Sequence, residues 1–222
     1  MFDSFNAFWE TPGGTAAAIA LCALALALLA GSLYRGKRLS AKTLAYSGIC
    51  IALSFILGNI KLFSMPQGGS VTAFGSLFIV LVGYWFGPAA GILAGAAEGL
   101  LNLVSGPYVI HPAQLLLDYP MGFAALGIAG FFKKGKWGLQ IGYCIGNIGR
   151  AFFSILSGVI FFASYAGDQN PIIYSTVYNL SYIIPEVVIT VAIVSIPAVK
   201  GAIDRVGAQL QEERPVRKPK HA

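Results

Sequence analysis

His111-Pro112-Ala113-Gln114-Leu115-Leu116-Leu117-Asp118-Tyr119-Pro120 opens a long apolar segment, yet it carries an amide, a carboxylate and a phenol. A charge at membrane depth costs roughly 2.5 to 3.5 kcal/mol on insertion scales and is kept where it faces a cavity or a partner. The stretch therefore places Asp118 on the wall of a pocket, facing a cationic or amine-bearing ligand. The segments on either side are read from that expectation.

The chain has 222 residues, of which 56% are hydrophobic and only 11% charged. Soluble domains carry about 25% charged residues, so the composition is that of an integral membrane protein. The net charge of +6 sits in short Lys/Arg blocks between apolar runs. That pattern sets membrane orientation and is no footprint for nucleic acid. Cys22, Cys50 and Cys144 fall inside apolar runs; their spacing gives neither a disulfide framework nor a metal site, and they read as packing residues.

Working outward, seven spans are expected, with the N-terminus outside and the C-terminus inside. Thr15 to Leu33 is long enough to cross. Its basic residues (Arg35, Lys37, Arg38, Lys42) follow the apolar run instead of preceding it, so it reads as an uncleaved helix and not a secretory leader. Thr43 to Ile60 is the second span, with Gly48-x-x-x-Ala52 as a close-approach spacing. Lys61 to Ser70 reads as an irregular, mobile outer loop, and Val71 to Phe86 as a third span. The fourth repeats glycine at Gly87, Gly91, Gly95 and Gly99, one helix face open to close backbone packing, with Glu98 beside it. The Asp118 segment returns to Lys133-Lys134-Gly135-Lys136. Trp137 to Tyr165 carries Arg150 near its middle, and Ile173 to Val199 carries Pro185-Glu186. The basic tail after Lys200 is expected to be partly disordered. Three units follow: 1–42, an extra helix and basic linker; 43–199, a six-helix membrane domain; 200–222, the tail.

In this topology Tyr108, Gln114, Asp118, Tyr119, Phe161, Phe162, Tyr165, Tyr174, Tyr178 and Asn179 meet in the outer half of the membrane. Aromatic faces attract cations by roughly 0.5 to 2 kcal/mol when desolvated, and a carboxylate adds a charge-assisted hydrogen bond. Tyrosines are also interfacial anchors. Arg150 reads as a bridge to Glu98, Asp118 or Glu186, and His111 as a loop residue. No phosphate loop and no catalytic or metal-ligand cluster is legible.

Met65-Pro66-Gln67-Gly68-Gly69-Ser70-Val71-Thr72 resembles a signature of the thiamin-specific substrate-binding subunits of energy-coupling-factor transporters, the ThiT (YuaJ) family. So do Gln114 to Pro120, Ser157 to Ala166, and Asn170-Pro171 followed by Tyr174-Ser175 and Tyr178-Asn179. The resemblance covers about residues 43 to 199, with the motifs in family order. It implies an all-α six-helix membrane fold in a bacterial plasma membrane. The fold would capture thiamin outside and dock on a membrane coupling subunit carrying two ATPases, so that ATP is used by the partners and this chain is neither an enzyme nor a cofactor carrier. By the same resemblance Asp118, Tyr119, Tyr108, Tyr174 and Asn179 contact the vitamin, Gly158 lines the pocket and Phe162 stacks on the ligand. Met65, Pro66, Gln67, Gly68 and Gly69 form a gate, and Gly48 and Ala52 fall where the family has its docking motif.

The chain departs from the family at two further candidate ligand positions. Ser154 stands where members often carry His, and Glu98 where a large aromatic is frequent. These changes keep open a thiamin precursor or other small heterocycle as ligand. A standalone carrier using Glu98, Asp118 or Glu186 as a proton relay is the alternative from another class.

Overall fold

Residues 39–105 and 108–212 are described, from a computed structural model. The expected first span (Thr15 to Leu33), its flanking residues and the final residues 213–222 lie outside them. Helix α1 is Ala41–Gly58, started by Ser40, whose hydroxyl accepts from the Thr43 amide at 3.0 Å. A short antiparallel hairpin follows, β1 (Lys61–Ser64) and β2 (Ser70–Thr72), paired Lys61↔Thr72 and Ser64↔Ser70. Its tip is one tight helical turn, Pro66–Gly68, with Gly68 at φ +93°. The stretch read as an irregular loop is thus an ordered strand pair. Pro66 starts the turn and Gly68 supplies the left-handed backbone, the same residues that read as loop punctuation.

Helix α2, Leu77–Phe86, corrects the expected third span: Val71 and Thr72 belong to β2, and ten residues remain helical. Those ten reach about 15 Å, half of an apolar core of about 30 Å. The helix compensates by burial, with Ile79, Val80 and Val82 fully enclosed at the centre of the molecule. Gly87, at φ +100°, turns the chain, and Pro88 opens α3, Pro88–Asn102.

Helix α4 runs from Pro112 to Phe132. His111 caps it, Nδ1 accepting from the Ala113 amide at 3.1 Å, and stacks on Phe161 at 5.0 Å. The expected loop residue is a helix cap. Within α4 the backbone widens into a π-turn at Leu117–Met121, around Pro120. Proline lacks the amide that an α-helical ladder needs, and a wider turn absorbs the defect. Helices α5 (Gly138–Phe161) and α6 (Pro171–Val194) follow, with Asn170 capping α6.

The expected glycine stripe packs against α4. A Cβ at Gly91 would lie 2.8 Å from the Gly127 Cα; at Gly95 it would overlap the Phe123 carbonyl, and at Gly99 the Tyr119 carbonyl. Only glycine allows these backbones so close.

Large apolar side chains face outward on α1, α5 and α6, among them Leu44, Ile56, Ile148, Phe152, Ile173 and Val188. An apolar belt of this kind suits a lipid surface. Among the described residues five helices are long and apolar enough to cross a membrane, α2 being shorter. The chain is a mainly helical multi-pass membrane protein, with the hairpin at one end of the bundle.

The tail is helical as far as it is described, and residues 213–222 lie outside the described residues. Pro197–Glu212 is a helix, α7. It is pinned across the end opposite the hairpin by Leu210, by the Trp85 indole donating to the Ile203 carbonyl at 3.2 Å, and by Lys42 donating to the Gln209 carbonyl at 3.3 Å. Its apolar positions recur at helical spacing, which favours a docked helix over disorder.

Candidate ligand cavity

Beneath the hairpin lies a cavity of about 440 Å³, within the range of small-molecule sites. Helices α1, α3, α4, α5 and α6 and the hairpin all contribute to it. Each of Asp118, Tyr119, Tyr108, Phe162, Gly158, Tyr174, Asn179, Glu98, Ser154 and Gln114 lines it.

The π-turn of α4 presents Asp118 and Tyr119 together. Asp118 Oδ2 accepts from Gln114 Nε2 at 2.6 Å and from Ser157 Oγ at 2.9 Å. Gln114 is held in turn, its Nε2 donating to the Tyr108 carbonyl and its Oε1 accepting from the Ile110 amide, both at 3.1 Å. The carboxylate is thereby oriented through one oxygen. Among the described residues Oδ1 has no protein donor and remains available for a ligand.

Aromatic rings surround this group. Tyr108 stacks with Phe162 at 5.9 Å, and Phe162 tilts against Tyr165 at 5.9 Å. Tyr174 stacks with Tyr178 at 6.3 Å, and Tyr178 meets Tyr182 edge-on. The Tyr108 and Tyr165 hydroxyls are hydrogen-bonded at 2.8 Å. That bond holds the Tyr108 phenol above its usual pKa. Asn179 Nδ2 donates to the Ser175 carbonyl at 2.9 Å, and its Oδ1 accepts from Tyr182 at 2.7 Å. Gly158 does more than line the wall, because a Cβ there would collide with the Ser175 hydroxyl.

Further along the cavity stand Glu98, Asn102, Ser54 and Arg150. Glu98 is 1% exposed; Oε1 accepts from Asn102 Nδ2 at 3.1 Å, while Oε2 is buried without a partner among the described residues. Arg150 corrects the expected bridge. Among the described residues it has no carboxylate within ion-pair distance; its guanidinium lies 4.7 Å from the centre of the Phe123 ring. Glu186 is satisfied elsewhere: Oε2 accepts from the Thr72 amide at 3.2 Å and the Thr72 hydroxyl at 2.8 Å, and Oε1 from Ser76 at 2.8 Å. Its task is to tie β2 and the start of α2 to α6.

The gate candidates Met65, Pro66, Gln67, Gly68 and Gly69 form the hairpin tip, and Gly68 and Gly69 reach the cavity. Gly48 and Ala52 lie apart from it, exposed on the outer face of α1. Asn102, Ser157, Ser175 and Tyr182 also line it, and the sequence reading gives none of them a role at the ligand. Their signal was spacing: Ser154/Ser157 at i, i+3 and Tyr174/Tyr178/Tyr182 at i, i+4 mark one helix face each.

The chain matches the family model described as thiamine transporter protein (Thia_YuaJ) over residues 44–203. It belongs to that family. Thia_YuaJ is a family of transporters and not of enzymes. The thiamine transporter ThiT of Bacillus subtilis (strain 168) is 38% identical over 141 residues, spanning 57% of this chain and 73% of that protein. The thiamine transporter ThiT of Lacticaseibacillus paracasei is 27% identical over 121 residues, spanning 48% of this chain and 60% of that protein. The solved structure of ThiT from Listeria monocytogenes has the same fold, with a TM-score of 0.64 at 24% identity over 73% of this chain and 95% of that one. The match to the Thia_YuaJ model takes in every cavity-lining residue and the hairpin. It stops within α7, whose second half is additional.

Proposed function

We propose that this chain is the thiamin-capturing subunit of an ATP-driven importer of the energy-coupling-factor kind. The observation that carries the reading is Asp118. Its carboxylate is oriented by Gln114 and Ser157, has one oxygen free, and sits among the rings of Tyr108, Phe162, Tyr174 and Tyr178 in a cavity of about 440 Å³. Thiamin carries a thiazolium cation and an aminopyrimidine. The rings take the flat cation, at roughly 0.5 to 2 kcal/mol per desolvated face, and Asp118 takes an N–H donor or the positive charge.

In this reading the hairpin end faces outward and the Lys/Arg-bearing end, with α7, faces the cytoplasm. Residues 43–199 form the binding domain and α7 a cytoplasmic extension of it; residues 1–38 lie outside the described part. Capture alone moves nothing across the membrane. A membrane coupling subunit with two ATPases supplies that work, docking on the exposed small-residue face of α1 at Gly48 and Ala52. Among the described residues nothing within 4 Å occupies the space beside Gly48, and close helix approach requires such a gap.

A second reading keeps the fold and changes the ligand to a thiamin precursor or related heterocycle. It draws on Glu98, a buried carboxylate with an unpartnered oxygen, and on the small Ser154. Titration calorimetry of the purified chain, washed free of carried-over ligand, tests both. Nanomolar to low-micromolar thiamin binding without a partner supports the first reading. Absent thiamin binding with retained binding of the aminopyrimidine fragment supports the second.

A further inference from the structure

The hairpin is fastened to a single helix, α6, at three levels. At its base Glu186 holds Thr72. Beside the tip the Ser181 hydroxyl, which donates to the Tyr178 carbonyl at 2.6 Å, touches the Met65 sulfur at 3.2 Å. At the tip the Tyr178 hydroxyl accepts from the Gly69 amide at 3.0 Å and donates to the Pro66 carbonyl. Of these three anchors only Tyr178 also lines the cavity, its ring stacked on Tyr174.

We infer that Tyr178 is the latch of the hairpin, a positioning residue that closes the tip over a bound ligand while its ring forms part of the wall the ligand touches. The inference rests on the cavity being a thiamin site. Three features make the tip the part that moves. Strand β1 is exposed along its whole length, so lifting it uncovers little surface. The strand pairing is irregular between Lys61 and Phe63, so the ladder that would hold β1 is interrupted at the base. Glu186 keeps β2 attached throughout. The tip is seated by close fit as well as by hydrogen bonds: a Cβ on Gly69 would lie 2.7 Å from the Tyr178 hydroxyl and 2.8 Å from the Tyr182 ring. The latch therefore needs glycine at Gly69 and a hydroxyl at Tyr178. A ligand pressed against Tyr174 and Tyr178 restrains the ring, which restrains the hydroxyl, which holds the tip.

The test is a chase of bound radiolabelled thiamin from the full chain in lipid nanodiscs, wild type against Tyr178→Phe, with hydrogen exchange of residues 65–69 read in parallel. Phenylalanine keeps the ring and removes only the hydroxyl. Loss of two hydrogen bonds is expected to speed release about 10- to 30-fold and leave association within about twofold. Exchange at Gly69 should quicken as well. Release within about twofold of wild type overturns the latch. So does a variant whose empty form melts lower and whose association slows as much as its release quickens, because that is a damaged wall. A wild type that binds no thiamin defeats the ligand reading, and the exchange data then judge the latch alone. Faster exchange at Gly69 in the empty variant supports it, and equal exchange overturns it.

Discussion

Replacing Asp118 with asparagine separates what holds the carboxylate from what the carboxylate holds. Two buried donors, Gln114 Nε2 at 2.6 Å and Ser157 Oγ at 2.9 Å, converge on Oδ2. An asparagine oxygen can occupy that position and satisfy both. The amide nitrogen then falls where Oδ1 stood and meets the ligand with a donor in place of a negative charge. Removing one partner of a buried charged pair costs about 2 to 5 kcal/mol, which is a rise in Kd of about 30- to 5,000-fold. Stability should barely change, because the protein-side hydrogen bonds persist. Asp118→Ala is expected to lose binding and also to lower the melting temperature, since each stranded buried donor costs about 1 to 3 kcal/mol. Gln114 is 1% exposed and Ser157 fully buried with the Asp118 side chain in place. Calorimetry with thiamin and thermal melting of the empty proteins measure the two quantities. Asparagine and wild-type affinities within about threefold of each other, a difference under about 0.7 kcal/mol, would refute the assignment of Oδ1 to the ligand.

Gly99→Ala should destabilise by about 1 to 3 kcal/mol and weaken binding, because its Cβ would lie 2.7 Å from the Pro120 Cα and push on the turn that carries Asp118; melting and calorimetry check this. Glu186→Ala strands the Thr72 amide and hydroxyl and leaves Ser76 with the Tyr143 hydroxyl as its partner. A stability loss of roughly 2 to 5 kcal/mol is expected, with faster hydrogen exchange in β2. Arg150→Met keeps the contact with Phe123 and breaks no ion pair among the described residues. It should shift stability by no more than about 1 to 2 kcal/mol in a thermal melt; a loss well beyond that would reveal a partner. Gly48→Leu fills a gap with nothing within 4 Å among the described residues. It should leave thiamin affinity unchanged while abolishing uptake by cells that express the coupling module, and unimpaired uptake would move the docking face elsewhere.

Much of this protein was legible in one dimension because the bilayer simplifies the rules. Apolar runs of spanning length, separated by Lys/Arg blocks, mark helices and their alternation, since lipid leaves the backbone no other partner than itself. A carboxylate such as Asp118 inside an apolar run marks a cavity for the same reason. The glycine stripe of α3 was equally plain, a periodic signal with one physical use. What sequence could not decide was set by contacts between segments far apart in the chain. The Lys61 to Ser70 stretch reads as loop because the two strands of the hairpin pair only with each other and are held from outside by Tyr178 and Glu186 on α6. α2 is short because β2 claims the start of its apolar run. Arg150, equidistant in sequence logic from three acids, lies over Phe123 once Glu186 is engaged by Thr72 and Ser76 and Asp118 by Gln114 and Ser157. Composition and spacing determine which segments cross and which polar residues must be sheltered. Which of those residues face one another depends on helix rotation and packing, which only the assembled bundle defines.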